Sequence, residues 1–144
     1  MVKMVDIGKK IPVQRMARAG GFIRLKQETL EKIKSKEIPK GDVLSVAQTA
    51  AIMAVKRTTE LIPLTHPIPI TGTDVDMRVE KAGVRVEVEV RSTGQTGVEM
   101  EALSGTVGAL LTVWDMVKGL EKDDAGQYPT TRIEDIHVVK KVKG

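Results

Sequence analysis

His66 sits between Thr65 and Pro67 in ELIPLTHPIPI, residues 60–70. Pro63, Pro67 and Pro69 rule out a helix there. A stiff backbone carrying an imidazole can fix a proton donor beside a ligand. A lone histidine is more commonly a satisfied structural residue, and here the two readings stand level. Glu99 and Glu101 belong to Gly97-Val98-Glu99-Met100-Glu101. An extended chain would turn Val98 and Met100 to the core and leave both carboxylates on the other face, about 7 Å apart. Carboxylates that close raise one another's proton affinity or await a cation. Gly94 and Gly97 open the backbone to a ligand, which weighs against a merely solvated face. Asp115 and Lys118 stand at i, i+3 beside Trp114. An exposed ion pair is the plain reading, and a pair tuned by burial for proton transfer is the functional one. Lys40, Lys56, Arg57, Arg15 and Arg18 would hold several phosphate charges if the fold gathers them, though nothing local shows that it does. Acid–base chemistry on a phosphorylated ligand is as far as these residues reach.

The elements that must position them are partly legible. Residues 1–20 read as an irregular basic arm, in which Lys9 and Lys10 are solvated charges, and Phe22 to Leu25 as a short extended piece. Glu28 to Lys36 carries Leu30 and Ile33 at helical spacing. Asp42 is placed to cap a second helix from Val43 to about Arg57, with Val43, Val46, Ala47, Ala50 and Ala54 as its buried stripe. Val75, Met77 and Val79, then Val84, Val86, Val88 and Val90, alternate with charges around Lys81-Ala82-Gly83, which predicts an antiparallel hairpin with one wet face. Leu103, Val107, Leu110, Trp114 and Val117 predict a helix from about Ala102 to Lys118 with that stripe buried. Ser104, Gly105, Gly108 and Ala109 thin it for close contact with another helix or subunit. Residues 122–131 read as a polar loop and Ile136 to Val142 as a last strand. Regular alternation would set His137, Val139 and Lys141 opposite Ile136, Val138 and Lys140. The sum is one α+β domain over 1–144, an antiparallel sheet with helices on one face, with the split β-α-β-β-α-β pattern as the natural candidate.

Composition excludes whole classes. The 144 residues contain no cysteine, which removes disulfides, thiolate nucleophiles and iron–sulfur clusters, and only two histidines, too few for a histidine metal cage. No apolar run reaches membrane-helix length and no signal-peptide core opens the chain, so a soluble, cytoplasmic protein is expected, without membrane contact. A net charge of +4 favours an anionic ligand. Aromatics make up 2% of the chain, too few for the stacking platforms of a single-strand nucleic-acid binder. A small phosphorylated molecule is favoured.

LIPLTHPIPI at 61–70, TGQTGVEMEALSG at 93–105 and LLTVWDMVKGLEKD at 110–123 closely resemble the MoaC family, the cyclic pyranopterin monophosphate synthases of molybdenum-cofactor biosynthesis. MVDIGKK at 4–10, Arg15 to Ala19 and KGDVLSVAQTAAIMAVKRT at 40–58 match as well. The resemblance implies a ferredoxin-like sandwich and a homohexamer, a trimer of dimers with the active site at the dimer interface. It implies conversion of 3′,8-cyclo-7,8-dihydroguanosine 5′-triphosphate to cyclic pyranopterin monophosphate with loss of pyrophosphate, by acid–base steps without cofactor or metal. By the same resemblance Asp115, Lys118, His66 and Lys40 are catalytic, and Leu64, Thr65, His66, Glu99, Met100, Glu101, Arg15, Arg18, Lys56 and Lys141 contact substrate. Thr65 stands where the family usually has cysteine. Two other classes compete. An RNA-binding module of the same fold would need exposed aromatics, and only Phe22 and Tyr128 are on offer. A catalytically silent assembly protein has no need of Asp115, Lys118, His66 and Glu101 together.

Overall fold

The computed structural model describes all 144 residues. Its order is β1 (Val13–Arg24), α1 (Gln27–Ser35), α2 (Val43–Lys56), a single turn α3 (Thr58–Leu61), β2 (Ile70–Val79), β3 (Gly83–Gly94), α4 (Glu99–Glu121) and β4 (Arg132–Lys143). The strands form one antiparallel sheet in the order β2-β3-β1-β4. The helices cover one face of it, the expected ferredoxin-like α+β arrangement.

The expected arm to residue 20 is shorter. Only residues 1–12 are irregular, and β1 runs on from Val13 down the middle of the sheet. Ala17, Ala19, Gly21 and Ile23 face the helices, paired with Val90, Val88, Val86 and Val84 of β3. Small residues disguise that alternation in the sequence, yet they are what lets α4 come close. A Cβ on Gly21 would stand 2.8 Å from Leu110 Cδ1.

The predicted hairpin is β2–β3, with Val79 opposite Val84 and its charged residues on the open face. Phe22 lies buried on that face beneath the Arg85 and Arg24 guanidiniums, so it offers no stacking platform.

α4 starts three residues earlier than expected, and its buried side is rotated from the predicted stripe. Ala102, Gly105, Thr106, Ala109, Leu110, Val113, Met116 and Val117 are buried, while Leu103, Val107 and Trp114 are only half-buried. The cause is α2. Gly105 and Gly108 press so closely on it that added Cβ atoms would stand 2.8 Å from Val55 Cγ2 and from Ala54 Cβ. Small residues thus make the seam with α2, and Leu103, Val107 and Trp114 are displaced to its margin. On α2 itself Val43, Ala47, Ala51 and Val55 are buried, whereas Val46 of the expected stripe faces outward. Asp42 holds the expected N-cap position, but its carboxylate accepts from Ser45 Oγ (3.0 Å) and not from a helix N–H.

A carboxylate unforeseen in the sequence locks three elements together. Glu121, fully buried, accepts from Lys26 N–H (3.1 Å), from Thr29 Oγ1, and from Thr131 Oγ1 (2.6 Å). It thereby joins the start of α1, the end of α4 and the entry to β4. Both carboxylate oxygens accept from a donor, the condition for tolerating a buried carboxylate.

Candidate functional site

The proline-bearing segment after α3 brings Leu64, Thr65 and His66 against the first turn of α4. With Glu99, Met100 and Glu101 they line a cavity of about 210 Å³. The extended reading of residues 98–101 is overturned here. Val98 is the N-cap and Glu99 to Glu101 are helical, because Val98 and Ala102 bury one turn apart. Helical periodicity inverts the expected exposure: Met100 is 41% exposed and Glu101 only 4%. Burial raises the Glu101 carboxyl above its usual range, and the nearby Glu99 charge adds to the effect. Glu99 is half-buried and lies 3.4 Å from Lys141 Nζ. A Cβ on Gly97 would fall 2.0 Å from Glu99 Oε1, so glycine makes room for this carboxylate. Thr65 turns its hydroxyl back to the Ile62 carbonyl (2.8 Å), where it closes a local turn.

Lys141 reaches Glu99 through an irregularity in β4. The register steps from Arg18↔Lys140 to Ala19↔Val138, so Val139 is an extra residue, and a second shift falls between Gly20 and Phe22. Such a bulge overturns the regular grouping. Lys141 pairs with Ala17 and shares the helix-covered face with Val138, while Val139 packs over Gly20 on the other side. Lys140 and Lys141 still point to opposite faces. Arg15 caps the same end of the sheet, its Nε donating to the Gly94 carbonyl (3.1 Å). Lys56 lines a small cavity on the far side of Glu101.

A second cluster lies farther along α4. Lys40, from the turn after α1, places Nζ 3.1 Å from Asp115 Oδ2 and 3.0 Å from the Asp115 carbonyl. Lys118 Nζ is 3.2 Å from Asp115 Oδ1. Lys40 first, then Lys118, hold the Asp115 carboxyl below its usual range. The expected tuning by burial is absent, since the Asp115 side chain is 57% exposed. Beside it Leu111, Trp114 and Ile133 form a shallow apolar depression of about 400 Å³.

Arg18 joins neither cluster. It lies on the open face of the sheet, 2.6 Å from Glu89. Gln95 was not anticipated. Its side-chain amide donates to the carbonyls of Ile7 (3.2 Å) and Lys10 (3.1 Å), clasping the N-terminal arm to the turn before α4. A glutamine in a Gly-rich turn gives no sequence signal for that.

Fold and site together define an α+β sandwich that carries two sets of acid–base side chains on one long helix. The chain belongs to the MoaC family, whose model matches residues 4–144. It is 59% identical over 140 residues to the probable cyclic pyranopterin monophosphate synthase of Methanococcoides burtonii, covering 97% of this chain and 88% of the relative. The probable synthase of Archaeoglobus fulgidus is 57% identical, with 99% and 92% covered. A Methanothermobacter thermautotrophicus relative, 55% identical with 99% and 89% covered, is named a probable cyclic pyranopterin monophosphate synthase accessory protein.

Proposed function

We propose that this chain is a cyclic pyranopterin monophosphate synthase, converting 3′,8-cyclo-7,8-dihydroguanosine 5′-triphosphate to cyclic pyranopterin monophosphate with release of pyrophosphate, and that its active site is shared between two copies. The single observation that carries the shared site is the separation of the clusters. Glu101 and Asp115 are fourteen positions apart on α4, about 21 Å along its axis. One small substrate does not span both on one chain. Surfaces beside both clusters are apolar and uncovered: Met100 and Leu111 on α4, and Val46, Ile52 and Met53 on α2, which carries no charge before Lys56. Exposed apolar side chains on an uncharged stretch of helix call for cover, and a two-fold partner supplies it while crossing its Lys40–Asp115–Lys118 cluster to the His66 cavity. Resemblance to the family supports carrying such dimers on to a homohexamer, a trimer of dimers.

In that site Asp115 is an ionised carboxylate between two ammonium groups. It accepts protons, Lys40 and Lys118 donate them, and covering by the partner strengthens both roles by excluding water. His66 and Glu101, the buried carboxyl with raised proton affinity, are further proton-exchange groups at the substrate end. Arg15, Lys56 and Lys141 supply positive charge for the triphosphate. The reaction is tested by incubating the protein with the cyclised GTP derivative. Pterin product and pyrophosphate should appear in equal amounts, and consumption without either would refute the proposal.

A further inference from the structure

Residues 1–12 form no helix or strand and are largely exposed, yet one part of them is held. Besides the two bonds from Gln95 Nε2 to the Ile7 and Lys10 carbonyls, Lys10 N–H donates to the Ile7 carbonyl (3.0 Å) and Gly8 N–H to Asp6 Oδ1 (2.7 Å). The arm is thus folded into a turn, and an amide from the β3–α4 connection is closed upon it. Thr96 and Gly97, the residues that follow Gln95, line the His66 cavity. An exposed segment near a chain terminus ordinarily frays, and here Asp6, Ile7, Gly8 and Lys10 are held by the turn that leads into the cavity lining.

The cavity has a charge problem that the arm addresses. Its own carboxylates are Glu99 and Glu101, and Lys141 pairs only with Glu99. A polyphosphate entering from this side meets a negative wall unless cations rim the mouth. Arg15 is tied to the β3–α4 turn through the Gly94 carbonyl, and the Lys10 backbone is tied to it through the next residue, Gln95.

We propose that residues 7–10 form a strap at the mouth of the His66 cavity, in which Gln95 fixes the backbone and the Lys10 ammonium holds the phosphate end of the substrate. This rests on the reading of the chain as an enzyme acting on a triphosphate. Lys10 is then a binding residue and Gln95 a positioning one.

Two variants test it, Lys10→Ala, which removes the ammonium, and Gln95→Leu, which removes both clasping bonds. Each should raise KM for the cyclised GTP derivative about tenfold, the size of one charge-assisted hydrogen bond, while kcat stays within twofold. An unchanged KM in either variant, or a loss confined to kcat, would overturn the proposal. Limited trypsin digestion gives a readout independent of turnover. Inorganic pyrophosphate should slow cleavage after Lys10 in the wild-type protein but not in Gln95→Leu. An active wild-type enzyme whose arm pyrophosphate does not protect overturns the strap alone. A protected arm on a protein without turnover sinks the proposed reaction and leaves the strap standing.

Discussion

Asp115 is the residue on which the proposed chemistry turns, and its surroundings set what it can do. Two lysines lower its pKa, so at neutral pH it is ionised, a charge partner with an open acceptor site and never a reservoir of protons. Asp115→Asn keeps the shape and loses proton exchange. Turnover should drop on the order of 100-fold or more while the melting temperature scarcely moves, because the side chain is exposed. Near-normal turnover in this variant would remove Asp115 from the mechanism. Glu101 behaves in the opposite sense. Its folded-state pKa is raised, so ionisation costs stability that the protonated form keeps. Below the unfolded carboxyl value, wild type and Glu101→Gln should differ little through ionisation. As pH climbs from there through the raised value, the wild type should lose stability relative to Glu101→Gln, and then the gap should level off. Melting curves across acid to neutral pH read this directly. A gap that widens towards acid would mean the carboxylate is stabilised by an unseen donor. Lys141 and Lys140 give the third contrast at this scale. Lys141 lies beside Glu99 and Lys140 on the opposite face, so Lys141→Ala should cut catalysis roughly ten- to a hundred-fold with little effect from Lys140→Ala. Equal, near-wild-type rates in both would make them solubilising charges only.

Among the elements, α4 matters most, because one continuous helix holds residues of both clusters and the seam to α2. Gly105→Val places branched carbon where Val55 and Val88 already stand, and should destabilise the fold by about 1–3 kcal/mol through overpacking. Removing the Glu121 carboxylate with Glu121→Ala strands two hydroxyls and a backbone N–H in the interior. A loss on the order of 3 kcal/mol is expected in denaturant unfolding. The β2–β3 hairpin was legible because alternating valines and charges are the direct imprint of a sheet with one wet face. β1 was hidden, since its inward residues are alanine and glycine, chosen for the approach of α4 and not for hydrophobic signal. The same small residues rotate α4: of the large apolar side chains that periodicity picks out, Leu110 and Val117 are buried, while Leu103, Val107 and Trp114 are only half-buried. Residues 98–101 were misread because Gly97 and a Val-x-Met alternation look extended, while a helix start without a serine, threonine or aspartate cap leaves little trace. The bulge at Val139 is a matter of strand register, which one strand's sequence does not encode. The site motifs themselves were visible by resemblance. That they fall into two groups, with Arg18 in neither, required the fold.

At the scale of the whole molecule, the separation of those groups becomes a statement about assembly. Apolar side chains on the outer faces of α2 and α4 predict that the isolated chain does not persist. Sedimentation at micromolar concentration should show an assembly of six copies of the 15.7 kDa chain, and a monomer alone would contradict it. The most direct test of the central claim mixes two inactive proteins. His66→Ala disables one cluster and Asp115→Asn the other, and each alone should be at least about 100-fold below wild type on the cyclised GTP derivative. After mild dissociation and reassociation of an equimolar mixture, a two-fold interface pairs an intact His66 cavity with an intact Asp115 cluster in about a quarter of the sites. The account predicts that pterin and pyrophosphate formation recover to about that fraction. Activity in the mixture no higher than the average of the two variants would show that each chain builds its site alone.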